Sequence, residues 1–502
     1  MKKPFKSGPD FDLYRRTLLA ALGGVALGAR VPQLLAAGTG QKIVAGEAEL
    51  TQRFGTSASV RGSANYEVWR QSMIWQRRKS PRYPEAIVQA TSVADVVAAV
   101  KHAKKYGLQL TTRCGGHSMS ASFLRDRGMP LDVGQLQGIE IDAAKKQARI
   151  GPGVIARGLS ERLREVGLAF PTSHCGMVPL SGFLLGGGLG LNGNGWGGMS
   201  VFNVLAAEVV TADGEVRNVS PTENPDLYWA VRGGGPGLFA VVTRLDLQAY
   251  DLPKAIVGTT LSFRFSDMAE VADALAQIGP KTDRNVELLG YAGRAPEGLR
   301  DKLTPADSNI AMHLHANAYS GSVSEGRRMA RHLLEHPIAK RAIARNLGAP
   351  KTIEELYFEE ELGFSQRRWQ GDNIYTNRLR DVVEVLHARM PACPAADSQA
   401  VFLYKGVSKM PDAACSTMGD FYAAFYTIWD SSTADGPILD YLAALYGELA
   451  PLGTGSNINE MNQEGRREGI AQCYTADAWK RLAELRAKWD PQHVFHDFYG
   501  LS

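Results

Sequence analysis

A cysteine, two glycines and a histidine stand together in RCGGHS, residues 113 to 118, and a second histidine–cysteine pair follows at His174 and Cys175. One sulfur and one imidazole can hold a metal, can act as a thiol nucleophile with its base, or can serve another group that needs one of each. Zinc ligands come at short fixed spacings, and chain neighbours such as His174 and Cys175 rarely point at one ion. A thiol enzyme needs a third group to orient the histidine, and none stands out. In the first loop, Gly115 and Gly116 remove side-chain bulk where backbone N–H groups can turn toward an anion. The second loop runs on as HCGMVPLSGFLLGGGLGLNGNGWGG, residues 174 to 198, with small residues and few charges. That composition suits extended contact between a cofactor and the backbone; its bland alternative is a glycine-rich surface loop. Gly188, Gly190 and Gly193 spell GxGxxG, but NGNGWGG forms helix poorly, so a Rossmann-type site is rejected.

These loops need elements to position them. SVADVVAAVKHAKKYG carries apolar residues at helical spacing between a Ser92 cap and Gly107. LQLTTR reads as the strand that delivers RCGGHS. LDVGQLQGIEIDAAKKQARIGPG reads as strands and turns, and VLAAEVVTADGEVRNVS as a hairpin turning at Asp213-Gly214. After Tyr250 the pattern changes to longer strands and helices, and AWKRLAELRAKWDPQHVFH ends the chain with an amphipathic helix stopped at Pro491. The expected fold class is α+β. The expected domains are a cofactor domain over 43–253, an inserted substrate domain over 254–450, and a segment over 451–502 returning to the first domain.

The 502 residues exceed one simple core. The formal charge is +4, and the tail before residue 31 supplies that excess. The remaining chain is near neutral, which argues against a nucleic-acid partner. Five cysteines with no CxxC pair do not make a disulfide framework. In the tail, Arg15-Arg16 precede a short apolar run from Leu18 to Ala29, with small residues at Ala36-Ala37. This reads as a twin-arginine export signal over residues 1–37, leaving no stable membrane span once removed. The expected location is periplasmic or secreted.

Six motifs in order resemble the vanillyl-alcohol oxidase/p-cresol methylhydroxylase FAD enzymes, in their berberine-bridge-enzyme-like branch. They are RCGGHS, LDVGQLQGIEID, FLLGGGLG, AEVVTADGE, NPDLYWAVRGGGPGLFAVVT and WDPQHVF. The resemblance implies a two-part FAD domain of the p-cresol methylhydroxylase type with an inserted α+β substrate domain. It implies that His117 bonds to the flavin 8α-methyl and Cys175 to flavin C6, making the FAD bicovalent. Around them, Arg113, Cys114, Gly115, Gly116, Ser118 and Asp132 are expected to hold the cofactor. So are Val178, Gly182, Gly186, Gly187, Gly188 and Gly190 of the second loop, Val209 of the hairpin, and Asn459. Val178 resembles the residue of O2-reactive members, which implies an oxidase making hydrogen peroxide, although Pro179 departs from the usual glycine. The alternatives are a dehydrogenase feeding a cytochrome or quinone, and a non-catalytic flavin-binding protein. The substrate would be a small sugar, alcohol, aromatic or amine, and no metal is implied. The tyrosine of the family's YxN motif is replaced by Asn457, so Tyr375 and Tyr404 become the candidate bases.

Overall fold

The computed structural model describes residues 46–361, 367–406 and 410–496. The export-signal expectation lies outside these residues. The described residues belong to one compact unit.

Local rules set the first elements. The helix Val93–Tyr106 starts where Ser92 Oγ accepts the Asp95 N–H at 3.2 Å and Asp95 accepts the Ser92 N–H at 3.1 Å. That reciprocal cap satisfies donors the helix cannot pair itself, and Gly107 in the left-handed region closes the other end. Val96, Ala99, Val100 and Ala103 form its buried stripe. The helix feeds the strand Gln109–Arg113, which pairs in parallel with Gly128–Asp132. Ala86–Gln89 and Ala58–Val60 complete a four-stranded sheet. The expected hairpin forms from Val204–Thr211 and Val216–Val219, at one edge of a five-stranded sheet.

The last helix, Ala476–Trp489, brings the chain back to the first sheet. Leu110 donates its N–H to the Val494 carbonyl at 2.8 Å and accepts the His496 N–H at 2.9 Å. Residues separated by most of the chain thus brace the strand that carries RCGGHS.

A seven-stranded antiparallel sheet forms the inserted part. Its spatial order is Ala344–Lys351, Ala255–Arg264, Ile310–Ser320, Val286–Arg294, Gln399–Tyr404, Phe421–Trp429 and Arg368–Thr376. Side chains alternate across it. Leu288, Leu314, Phe402 and Phe425 pack on one face with the helices Met268–Ile278, Leu379–Arg389 and Asp435–Leu449. Leu403, Tyr422 and Ala424 face the other way and join the core of the first sheets. The fold is therefore α+β: the first sheets are built from two parts of the chain, and a second α+β part is inserted between them.

Candidate active site

Both unusual loops reach one cavity of 990 Å³. His117 lines it with Arg113, Cys114, Gly115, Gly116 and Ser118, and Cys175 lines it with Val178, Gly182 and Gly188.

The first loop is shaped by close approach. Arg113 donates to Asp132 Oδ2 at 2.6 Å and to the Met73 carbonyl at 3.2 Å, which anchors the end of the strand. Gly116 has φ +71, and a Cβ there would lie 1.8 Å from the Met73 carbonyl oxygen. Only glycine fits both conditions. The turn presents His117, whose ring lies parallel to Trp75 at 5.2 Å between centroids and 5° between planes. Burial, with Arg113 nearby, lowers His117 to about 4, so its imidazole is neutral near pH 7. Ser118 Oγ accepts the Ser122 N–H at 3.2 Å and closes the turn behind it.

The second loop lies against the first: a Cβ on Gly115 would sit 2.0 Å from Pro179 Cγ. Cys175 turns the chain through its carbonyl, which accepts Ser173 Oγ at 2.8 Å and the Val178 N–H at 3.4 Å. Its thiol is buried and in no disulfide. Cys114 sits between the loops and accepts Ser181 Oγ at 3.4 Å. His174 departs from its neighbour: its Nε2 pairs with Glu287 Oε1 on the strand Val286–Arg294.

Of the remaining expected residues, Asn459 lines the cavity and the others stand behind its wall. Asp132 holds Arg113. Val209 is buried within its strand. Gly186 makes room for Asn459, whose side-chain atoms would lie 2.1–2.3 Å from an added Cβ. Asn459 lines the cavity and donates to the Phe183 carbonyl at 3.0 Å. Gly187 and Gly190 pack away from the cavity, Gly190 against the Pro171 carbonyl.

Neither candidate base reaches the cavity. Tyr375 is buried under residues 454 and 455, bonding through its backbone to Gly455 and Thr454 at 2.8 and 2.7 Å. Tyr404 packs against Gly279 and Phe421 and borders a separate small pocket. The cavity instead holds Tyr422 and Tyr426, two side chains on one face of the strand Phe421–Trp429, together with Glu460. Both phenols donate to Glu460 Oε2, and the two hydroxyls lie 3.1 Å apart. Sequence reasoning missed all three. Its available signal was the pair Tyr422 and Tyr426 four residues apart in FYAAFYTIW, a spacing that shares a strand face.

The wall fits the expected flavin nucleotide. It combines glycine backbone with apolar side chains such as Leu238, Val242 and Phe495, and its volume suits an organic cofactor with a small substrate. Residues 84–220 match the FAD binding domain family. The (R)-6-hydroxynicotine oxidase of Paenarthrobacter nicotinovorans is 27% identical over 86% of this chain and 93% of its own. The FAD-linked oxidoreductase janO of Penicillium janthinellum is 25% identical over 86% of this chain and 94% of its own. Among solved structures, Physcomitrella patens BBE-like 1 has a TM-score of 0.75 at 19% identity, covering 91% of this chain and 99% of that one. The 6-hydroxy-D-nicotine oxidase of Arthrobacter nicotinovorans has a TM-score of 0.74 at 22% identity, covering 89% and 97%. The structural likenesses establish the fold, residues 84–220 carry an FAD binding domain, and over most of its length the chain is similar to FAD-linked oxidoreductases.

Proposed function

We propose that the protein is an oxidase with FAD bonded to His117 and Cys175, acting on a small organic substrate and returning electrons to O2 as hydrogen peroxide. The observation that carries this reading is the meeting of the two loops: one neutral imidazole and one buried thiol line the same cavity. FAD, when bound, accepts hydride from a C–H beside oxygen or nitrogen. The protein's own part is orientation. A neutral His117 keeps a ring-nitrogen lone pair, and Trp75 fixes the plane of that ring. Tyr422 and Tyr426 of the inserted sheet, with Glu460 of the returning segment, supply polar groups. We further propose that the twin-arginine tail directs the protein to the periplasm or the medium, where a tethered cofactor cannot be lost by dissociation.

The test is acid precipitation. The pellet should stay yellow; His117→Ala and Cys175→Ala should each weaken retention, and the double variant should release the flavin. A colourless wild-type pellet would sink the tether. The oxidase reading predicts rapid recovery of the oxidised spectrum when the substrate-reduced protein meets air in a stopped flow. Val178 supports it. The neighbouring fold of Phl p 4 is described as a glucose dehydrogenase in its wild-type form and as a glucose oxidase when one isoleucine becomes valine. Pro179 departs from the usual glycine and weakens that support; the second reading is a dehydrogenase feeding a cytochrome or quinone, and slow recovery in air would select it.

A further inference from the structure

The charges of the cavity wall are compensated with one exception. Arg113 pairs with Asp132 at 2.6 Å, Arg294 with Asp397 at 3.0 Å, Glu359 with Lys351 at 2.7 Å, and His174 with Glu287. Glu460 lines the same cavity, and among the described residues no cation pairs with it. Its hydrogen-bond partners are two neutral phenols, both on Oε2. Burial, and then Glu460 itself, push Tyr422 and Tyr426 well above the ordinary phenol range, so both keep their protons and remain donors. This clamp fixes the carboxylate and leaves Oε1 for a further partner. A half-buried carboxylate without a counter-ion is costly, and a cation entering the cavity relieves that cost.

We infer that Glu460, held by Tyr422 and Tyr426, is a cation-binding site, and that the substrate is an organic amine that enters as its ammonium ion. This rests on the flavin reading of the same cavity and narrows its substrate to one class. Sugars and neutral alcohols would leave the charge uncompensated. An ammonium docked on Oε1 is also placed to give up a proton there: the N–H bond breaks, an O–H bond forms on Glu460, and the electron pair stays on nitrogen. Loss of that proton must precede hydride departure from the adjacent carbon, because an ammonium nitrogen has no lone pair to stabilise the electron-poor carbon.

The probe is benzyltrimethylammonium, a permanent cation that cannot be oxidised by this route, with benzyl alcohol and benzoate as neutral and anionic controls. Calorimetry on the protein as isolated reads binding whether or not flavin is present, and the visible spectrum of the denatured protein reads the flavin separately. The expected result is saturable binding of the cation, at least tenfold tighter than either control. Glu460→Gln keeps an oxygen to accept the phenols and should weaken the cation at least tenfold while leaving flavin content and melting temperature unchanged. Glu460→Asp, which restores the charge on a shorter stem, should recover part of the affinity. Equal affinity for cation and alcohol, or an unchanged affinity in Glu460→Gln, would overturn the inference. A flavin-free protein that still binds the cation would sink the flavin reading and leave the cation site standing.

Discussion

Burial decides what the histidines of this chain can do. His117 is lowered to about 4, His313 to about 4 and His315 to about 3, and in each the first cause is burial. An exposed histidine titrates near ~6.5. Between about pH 6.5 and 4, and down to about 3 for His315, the unfolded chain therefore holds more protons at these positions than the folded one. Stability is fully present above that window and is lost as pH falls through it. Urea denaturation at pH 7.5 and 5.5 should show a lower midpoint in acid, and His315→Gln should reduce the difference. An unchanged difference would remove His315 from the explanation. His117 was legible in RCGGHS because a loop motif marks it. His315 carried no such mark, since its burial depends on which strands flank Ile310–Ser320. The tyrosines divide in the same way. Tyr375 and Tyr422 sit opposite each other on adjacent strands and share a face, yet only Tyr422 lines the cavity. Alternation along a strand predicts the face, whereas distance from the cavity is set by strand order, which no local pattern encodes.

At the scale of elements, the local rules were readable where one short segment sets its own conformation. The cap at Ser92, the stop at Gly107, the hairpin turn at Asp213-Gly214 and the failure of NGNGWGG to continue as helix all follow from residues within a few positions. One exception is VSEGRRMARHLLEH, which reads as a single helix but is divided into Val323–Met329 and Arg331–Glu335. The contact of loop with loop was not readable, because Met73 and Pro179 belong to segments far from Gly115 and Gly116. That contact yields a prediction at this scale. Gly116→Ala must either leave its left-handed conformation or drive a methyl into the Met73 carbonyl, so the whole turn carrying His117 must move. The expected cost is about 2–4 kcal/mol. Urea unfolding should report it, together with a fall in flavin per protein. A variant with normal stability and full flavin would mean that the loop tolerates the shift.

The molecule as a whole depends on a return of the chain that only the WDPQHVF motif announced. Arg486 and Asp490 are 1% and 0% exposed, with 3.6 Å between Nη1 and Oδ2. Arg486 also donates to the Gly237 carbonyl at 2.9 Å, and Asp490 accepts the backbone N–H groups of Val494 and Phe495 at 2.7 and 2.9 Å. The pair thus shapes the final turn that sets Val494 and His496 beside Leu110, on the strand leading to His117. A buried ion pair adds little net stability, but losing one partner leaves the other charged and dry. Arg486→Met should therefore cost about 3–5 kcal/mol, because Asp490 remains without its cation. Arg486→Met with Asp490→Asn should recover part of that loss, since the amide keeps an acceptor and sheds the charge. Both are measured by urea unfolding, with flavin content as the second readout. If the two variants are equally unstable, the orphaned charge is not the cause, and the loss lies instead in the carbonyls that Arg486 ties together across the two parts of the FAD domain.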